Sequence, residues 1–243
     1  MGQYAVISDI HGNLYALEKI MEDMKSFSVD GVILLGDLID YGMQSNETIE
    51  YIQHFFPYKI VCNIWGNHEQ AVMHSDFTGF SSKRGAESAM NTALRLTDRT
   101  RQYLNMMPDH KGIREFVLEG LKCLAVHGSA EDPFWKAIAP DDVRGDYIKY
   151  DFVFSGHSHY PHIFTKFYDA DDLKMRNRHA VTFINPGSAG QPRNHNPCAQ
   201  YMILDILQKN IYMRSVPYDV EAAMSLFDGS VDWFYRDRLK NGI

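Results

Sequence analysis

Cysteine is scarce. Three occur in 243 residues, at Cys62, Cys123 and Cys198, and no two form a Cys-x-x-Cys pair. That excludes a disulfide scaffold and a cysteine-based zinc ribbon. Two of the three fall inside expected core strands, where a free thiol behaves as a small hydrophobe. Long apolar runs are missing too, and none approaches the ~18 residues that a membrane-spanning helix needs. No basic segment followed by an apolar stretch opens the chain, because the first apolar run meets Asp9 within a few residues. Positive charge is in the minority, 24 Lys and Arg against 31 Asp and Glu for a net charge of −7. Such a field repels nucleic acid rather than gathering it. Internal repeats, low-complexity tracts and linkers are absent as well. What remains is an ordinary globular composition, 45% apolar and 23% charged, read as one domain over residues 1–243 in the cytoplasm.

Five short apolar runs stand out, at residues 4–8, 32–35, 59–64, 121–126 and 151–155. Bounded by glycine and separated by helix-like segments, they predict buried strands of an α/β core. Each runs directly into a polar block. In order these are Asp9-Ile10-His11, Gly36-Asp37, Gly66-Asn67-His68-Glu69, His127-Gly128 and Gly156-His157-Ser158-His159. Ligands of open α/β sheets bind beyond the carboxyl ends of the strands, so five such ends carrying Asp, Asn or His imply one convergent site.

Between the blocks, Leu14, Leu17, Ile20, Met21 and Met24 recur at helical spacing, and a second helix is expected over 46–55, stopped by Pro57. Residues 70–110 read as a helical excursion beside the site, cap-like, with pieces at 69–74 and 86–105. Glu119-Gly120 marks a tight hairpin. After His159 the pattern becomes almost all strand, at 163–167, 180–184, 200–205 and 211–216, and the tail over 220–240 looks helical. Its aromatics Trp233, Phe234 and Tyr235 are expected to dock on the core. A parallel first half and a meandering second half suggest two sheets packed face to face with helices outside.

The chemistry that fits these residue types is a pair of divalent cations about 3.5–4 Å apart, clamping the attacking and leaving oxygens of a phosphoryl transfer. Two cations that close need a shared carboxylate, and Asp37 is the natural bridge. Asp9, His11 and one of His157 and His159 could complete one cation. Asn67, His127 and the other histidine could complete the second, because side chains two apart in an extended segment point to opposite faces. Mixed imidazole and carboxylate ligation suits manganese, iron, zinc, cobalt or nickel better than calcium or magnesium, and manganese is the expected metal. His68 points away from Asn67, free to stabilise transition-state charge or protonate a leaving alkoxide, while a hydroxide bridging the cations is the nucleophile.

The five blocks in this order resemble the calcineurin-like metallophosphoesterases, over roughly residues 4–190. The resemblance implies a four-layer α/β/β/α sandwich of two mixed sheets flanked by helices. It also implies one cation on Asp9, His11, Asp37 and His159, another on Asp37, Asn67, His127 and His157, and His68 as the catalytic histidine. In finer detail, the Asp9-Ile-His-Gly-Asn-Leu, His127-Gly-Ser and Asn185-Pro-Gly-Ser-Ala-Gly-Gln-Pro-Arg193 segments resemble small bacterial phosphodiesterases that include asymmetric diadenosine tetraphosphate hydrolases. Tyr41 stands where protein phosphatases and symmetric dinucleotide hydrolases carry an arginine, which removes a phosphate clamp and argues against both. Ala130-Glu131 replaces the Pro-Arg of nearer relatives. Arg193 is the foremost candidate for a substrate phosphate, since a guanidinium pairs with phosphate bidentately; Asn13, Tyr41 and Arg84 are the other candidate contacts. The expected substrate is a small phosphoester or nucleotide. A phosphomonoester or phosphoprotein phosphatase and a non-catalytic metal-binding scaffold are the alternatives.

Overall fold

The computed structural model describes residues 2–243. Strand β1 (Gln3–Ile7), helix α1 (Leu14–Met24), strand β2 (Gly31–Leu34), helix α2 (Ser45–His54) and strand β3 (Ile60–Asn63) form the expected alternation. The three strands are parallel. Their continuous apolar composition follows from burial on both faces: Ala5, Val6 and Ile7 are all fully buried. The remaining strands are β4 (Ile113–Leu118), β5 (Leu121–Val126), β6 (Phe152–Ser155), β7 (His162–Asp169), β8 (Arg178–Asn185), β9 (Ala199–Asp205) and β10 (Asn210–Val216).

Two five-stranded mixed sheets result, ordered β10-β9-β1-β2-β3 and β4-β5-β6-β8-β7. The halves of the chain do not segregate between them. Strands β9 and β10 return from the late part of the chain to pair antiparallel beside β1, while β6 lies parallel to both β5 and β8. The Glu119-Gly120 hairpin joins β4 to β5, with both residues at positive φ, 48° and 83°. This is the backbone that a two-residue turn between right-twisted strands requires.

Alternation along the strands sorts the core. Val6, Ile33, Leu35 and Leu204 from the first sheet meet Cys123, Ala125, Phe154 and Ile184 from the second. On the opposite face of the first sheet, Ala5, Ile7, Val32 and Leu34 pack with Leu17, Ile20 and Met24 of α1. Each large side chain buried this way contributes about 1.5–3 kcal/mol. Over the outer face of the second sheet, Leu124, Val126, Val153 and Phe183 are covered by Ile138, Tyr147 and Tyr150. These belong to a segment without helices between β5 and β6, so that outermost layer is irregular chain.

The excursion holds three helices: α3 (Asn67–His74), α4 (Lys83–Arg95) and α5 (Asp98–Met106). The single piece expected over 86–105 is divided. Leu96 turns extended, and the Thr97 side chain caps α5 by accepting from the Thr100 N–H. Asn46 of α2 fixes the break, donating to the Arg95 carbonyl at 3.0 Å and accepting from the Thr97 N–H at 2.9 Å. The tail is divided as well, into α6 (Val220–Ser225) and α7 (Trp233–Asn241). Of its aromatics, Tyr235 is buried as expected, whereas Trp233 and Phe234 remain 45% and 39% exposed.

Candidate metal centre

All five polar blocks converge at the carboxyl ends of β1, β2, β3, β5 and β6. The backbone there is unusual. Asp9, His11, Asp37, Asp40, Tyr41, His157 and His159 all hold positive φ, between 49° and 72°. Non-glycine residues adopt this conformation at a cost of order 1–3 kcal/mol each and keep it where surrounding contacts enforce it, commonly at functional sites. Two close approaches need glycine. A Cβ on Gly36 (φ 88°) would lie 2.3 Å from the Gly66 nitrogen, and one on Gly66 would lie 2.1 Å from Asp37 Oδ1.

Two groups of side chains offer ligand atoms within 4.8 Å of one another: Asp9, His11, Asp37 and His159, and Asp37, His127 and His157. The hydrogen-bond pattern fixes which imidazole nitrogens are available. His11 Nδ1 faces the Ile39 carbonyl at 3.2 Å, and His159 Nδ1 faces the Gln191 carbonyl at 2.6 Å. A carbonyl only accepts, so each Nδ1 carries the proton and each Nε2 presents a lone pair. Those two Nε2 atoms lie 3.2 Å apart. His127 is held alike, donating from Nδ1 to the Leu35 carbonyl at 2.7 Å. Its Nε2 faces Asn67 Oδ1 at 3.0 Å and Asp37 Oδ2 at 3.3 Å, and His157 Nδ1 faces the same Asn67 oxygen at 3.0 Å. Asp9 Oδ1 is buried with no hydrogen-bond donor. Lone pairs crowding one another in a dry site repel unless a cation sits between them. The donor set therefore fits divalent metal.

Protonation accords with this at three of the four imidazoles. Burial holds His11 well below its ordinary value and pulls His157 and His159 down to about 4, so all three are neutral, the form that ligates. At His127 burial pulls the same way, but the Asp37 carboxylate prevails and lifts it to about 9. Asp37 Oδ2 lies 3.6 Å from His11 Nε2 and 3.3 Å from His127 Nε2, between the two groups and common to both.

His68 sits beside them at the start of α3 with its Nδ1 2.6 Å from Asp40 Oδ2. The other Asp40 oxygen accepts from the Ser88 and Thr92 hydroxyls of α4, each at 2.7 Å. Burial lowers the His68 ring, yet Asp37 and Asp40 together raise it above the ordinary imidazole value. Sequence alone does not single out Asp40, which lies three residues after Asp37 and outside the Gly36-Asp37 block. Glu69 stands out in the sequence only as part of its motif. Its carboxylate accepts from the N–H groups of Gly66, Asp37, Leu38 and Ile39 at 2.8–3.2 Å, clamping two ligand loops together.

Over the centre opens a cavity of about 480 Å³ lined by Asp37, Asn67, His68, His157 and His159. Arg193, Arg84 and Tyr41 line it too. Tyr41 is a wall, its ring 4.4 Å from His68 and stacked at 4.1 Å on Tyr235. Asn13 does not reach the cavity. Its side chain caps α1, accepting from the Ala16 N–H and donating to the Gly190 carbonyl and Tyr218 hydroxyl. The commitment is structural. Further lining residues are not marked by sequence as ligand contacts, among them Phe80, Trp135, Phe234 and Arg238. No local motif marks them, because they reach the site from α4's approach, an irregular segment and α7.

A cluster of carboxylates and imidazoles at adjoining strand ends, beneath an open polar cavity, is the arrangement of a metal-dependent hydrolase. The chain belongs to the calcineurin-like phosphoesterase superfamily, whose domain it matches over residues 3–209, and it is accordingly a phosphoesterase. An uncharacterized protein of Methanocaldococcus jannaschii is 31% identical over 230 residues, covering 90% of this chain and 89% of its own. Among solved structures, a metallophosphoesterase from Sphaerobacter thermophilus is 24% identical with a TM-score of 0.72, covering 99% of both chains. A hypothetical protein from Pyrococcus horikoshii OT3 is 20% identical with a TM-score of 0.78, covering 100% of this chain and 99% of its own. At those identities the likeness is one of fold.

Proposed function

We propose that this protein is a binuclear phosphoesterase that hydrolyses phosphodiester or phosphoanhydride bonds, with dinucleoside polyphosphates as the leading substrate class and cleavage to ATP and AMP for diadenosine tetraphosphate. The observation that carries the reading is Asp37 Oδ2 lying between two groups of converging lone pairs, with His68 alongside. Asp9, His11, Asp37 and His159 would hold one divalent cation, and Asp37, Asn67, His127 and His157 the other, manganese foremost. When bound, the cations supply Lewis-acid charge and activate water.

The protein's own part is orientation and proton control. The Leu35, Ile39 and Gln191 carbonyls lock three imidazoles in one tautomer. His68 hydrogen-bonds through Nδ1–H to Asp40, and Asp37 and Asp40 raise its proton affinity, which supports a role in giving a proton to a leaving oxygen in the cavity. Arg193 stands at the rim as a counter-charge for phosphate. The unpaired thiols of Cys62, Cys123 and Cys198 suit a reducing compartment, and we place the enzyme in the cytoplasm.

Incubation of the manganese-loaded protein with diadenosine tetraphosphate, followed by chromatography, tests this. ATP plus AMP is expected. Two ADP would overturn the asymmetric cleavage, and no product beside intact hydrolysis of an aryl phosphodiester would move the substrate elsewhere.

A further inference from the structure

The mouth of the cavity carries three arginines that the metal centre does not use. Arg84 comes from α4, Arg193 from the loop before β9 and Arg238 from α7, and all three line the same space. Among the described residues none of them has an ion pair with a carboxylate side chain, although other arginines do, such as Arg214 with Asp23 and Arg114 with Asp109. Arg193 Nε is buried without any hydrogen-bond partner. Arg238 is 7% exposed, and its Nε donates only to the Ile243 backbone oxygen. Burial first and Arg193 second lower its pKa to about 10, so the two cations are neighbours and repel each other. Arg193 shares the cavity lining with His159 of the metal centre as well as with Arg238.

Phe234 holds the cluster in place. Its ring carries the Arg84 guanidinium at 4.2 Å and that of Arg238 at 5.1 Å. Cation–π contacts of this kind orient guanidinium groups without neutralising them. Holding like charges side by side, with no Asp or Glu side chain paired to any of them, is costly. The arrangement is stabilised by an anion, and phosphate oxygens match the guanidinium fork.

We infer that Arg84 and Arg238, both held on Phe234, and Arg193 beside them form a cradle for a second phosphoryl group, so that the substrate carries at least two linked phosphates. This rests on the phosphoesterase reading above and narrows it from esters in general to phosphoanhydrides. One phosphoryl group lies over the Asp37 centre, and the next lies against Arg193 and Arg238. Helix α7 therefore determines specificity, while the strand-end blocks supply the hydrolytic centre.

The test uses the manganese-loaded full chain with metal in excess over phosphate. Orthophosphate and tripolyphosphate are titrated calorimetrically and as competitive inhibitors of bis(p-nitrophenyl) phosphate hydrolysis. Tripolyphosphate is expected to bind at least 30-fold more tightly than orthophosphate. Arg238→Gln and Arg84→Ala should each cut that ratio about tenfold, whereas Arg144→Ala, on an exposed arginine paired with Asp142, should leave it in place. Arg84 is exposed, so its variant remains informative should the buried Arg238 variant unfold. Equal binding of the two anions, or a ratio that neither variant moves, overturns the cradle while hydrolysis of the aryl diester upholds the enzyme class. Loss of all hydrolysis in the wild type together with a retained tripolyphosphate preference would overturn the class and uphold the cradle.

Discussion

Asp40→Asn isolates the work of the His68–Asp40 pair. The 2.6 Å contact of His68 Nδ1 with Asp40 Oδ2 is a charge-assisted hydrogen bond in a fully buried setting, of the kind worth about 1.5–3 kcal/mol. An asparagine keeps the oxygen that serves Ser88 and Thr92. It places an N–H₂ donor against His68 Nδ1, so the ring must become neutral and take the opposite tautomer. The Nε2 proton then no longer belongs to a cation. If His68 protonates the leaving oxygen in the transition state, the rate should fall by that same energy, roughly 10- to 150-fold. The fall should depend on the leaving group: large for an alkyl phosphodiester, whose alkoxide needs a proton, and small for a p-nitrophenyl ester, whose phenolate does not. Steady-state kcat on the two esters, with manganese content measured on the same samples, reads this directly. Equal losses on both, or metal content that falls in step with rate, would refute the acid role and leave Asp40 as support for the ligand loops.

Two more outcomes follow from the same geometry. Chelation should abolish turnover and added manganese restore it, whereas Asp37→Asn should weaken metal retention at both groups together, since Oδ2 faces both; loss of a single ion per chain by elemental analysis would contradict the shared carboxylate. Away from the site, Asp23 of α1 accepts from Arg214 Nε and Nη2 at 2.9 and 2.7 Å and from the Tyr201 hydroxyl at 2.6 Å. The Arg214 guanidinium, then the Tyr201 hydroxyl, hold the Asp23 carboxyl below the usual carboxylate range. A lowered pKa contributes stability that is complete above the unfolded value, about 3.9, and disappears as pH falls through the folded one. Asp23→Asn should therefore cost about 1–2 kcal/mol at neutral pH in urea denaturation. A gap that fails to shrink below about pH 4 would remove the ion pair as its cause.

The ligand blocks were legible because each is contiguous with the strand that presents it. Apolar runs of four to six residues fix the strands, and the next two or three residues must emerge at the strand end. That is why Asp9, His11, Asp37, Asn67, His127, His157 and His159 meet in the structure as an ordered reading of the chain places them. The wall of the cavity obeyed no such rule. Phe234 and Arg238 enter from a helix that reads locally as a docking tail, and the first sheet's return through β9 and β10 decides where that helix lands. Asn13 shows the converse: an amide two residues from a ligand is spent on a helix cap and on two tertiary hydrogen bonds, partners more than 170 residues distant in sequence. The positive φ of five candidate ligand residues is likewise invisible in a sequence of Asp and His, because tertiary contacts and not residue type impose it. Residue order thus determined which atoms could ligate metal, since strand and ligand are covalent neighbours. Sheet order and helix docking decided which guanidinium groups line the cavity, since those contacts exist only once distant segments pack.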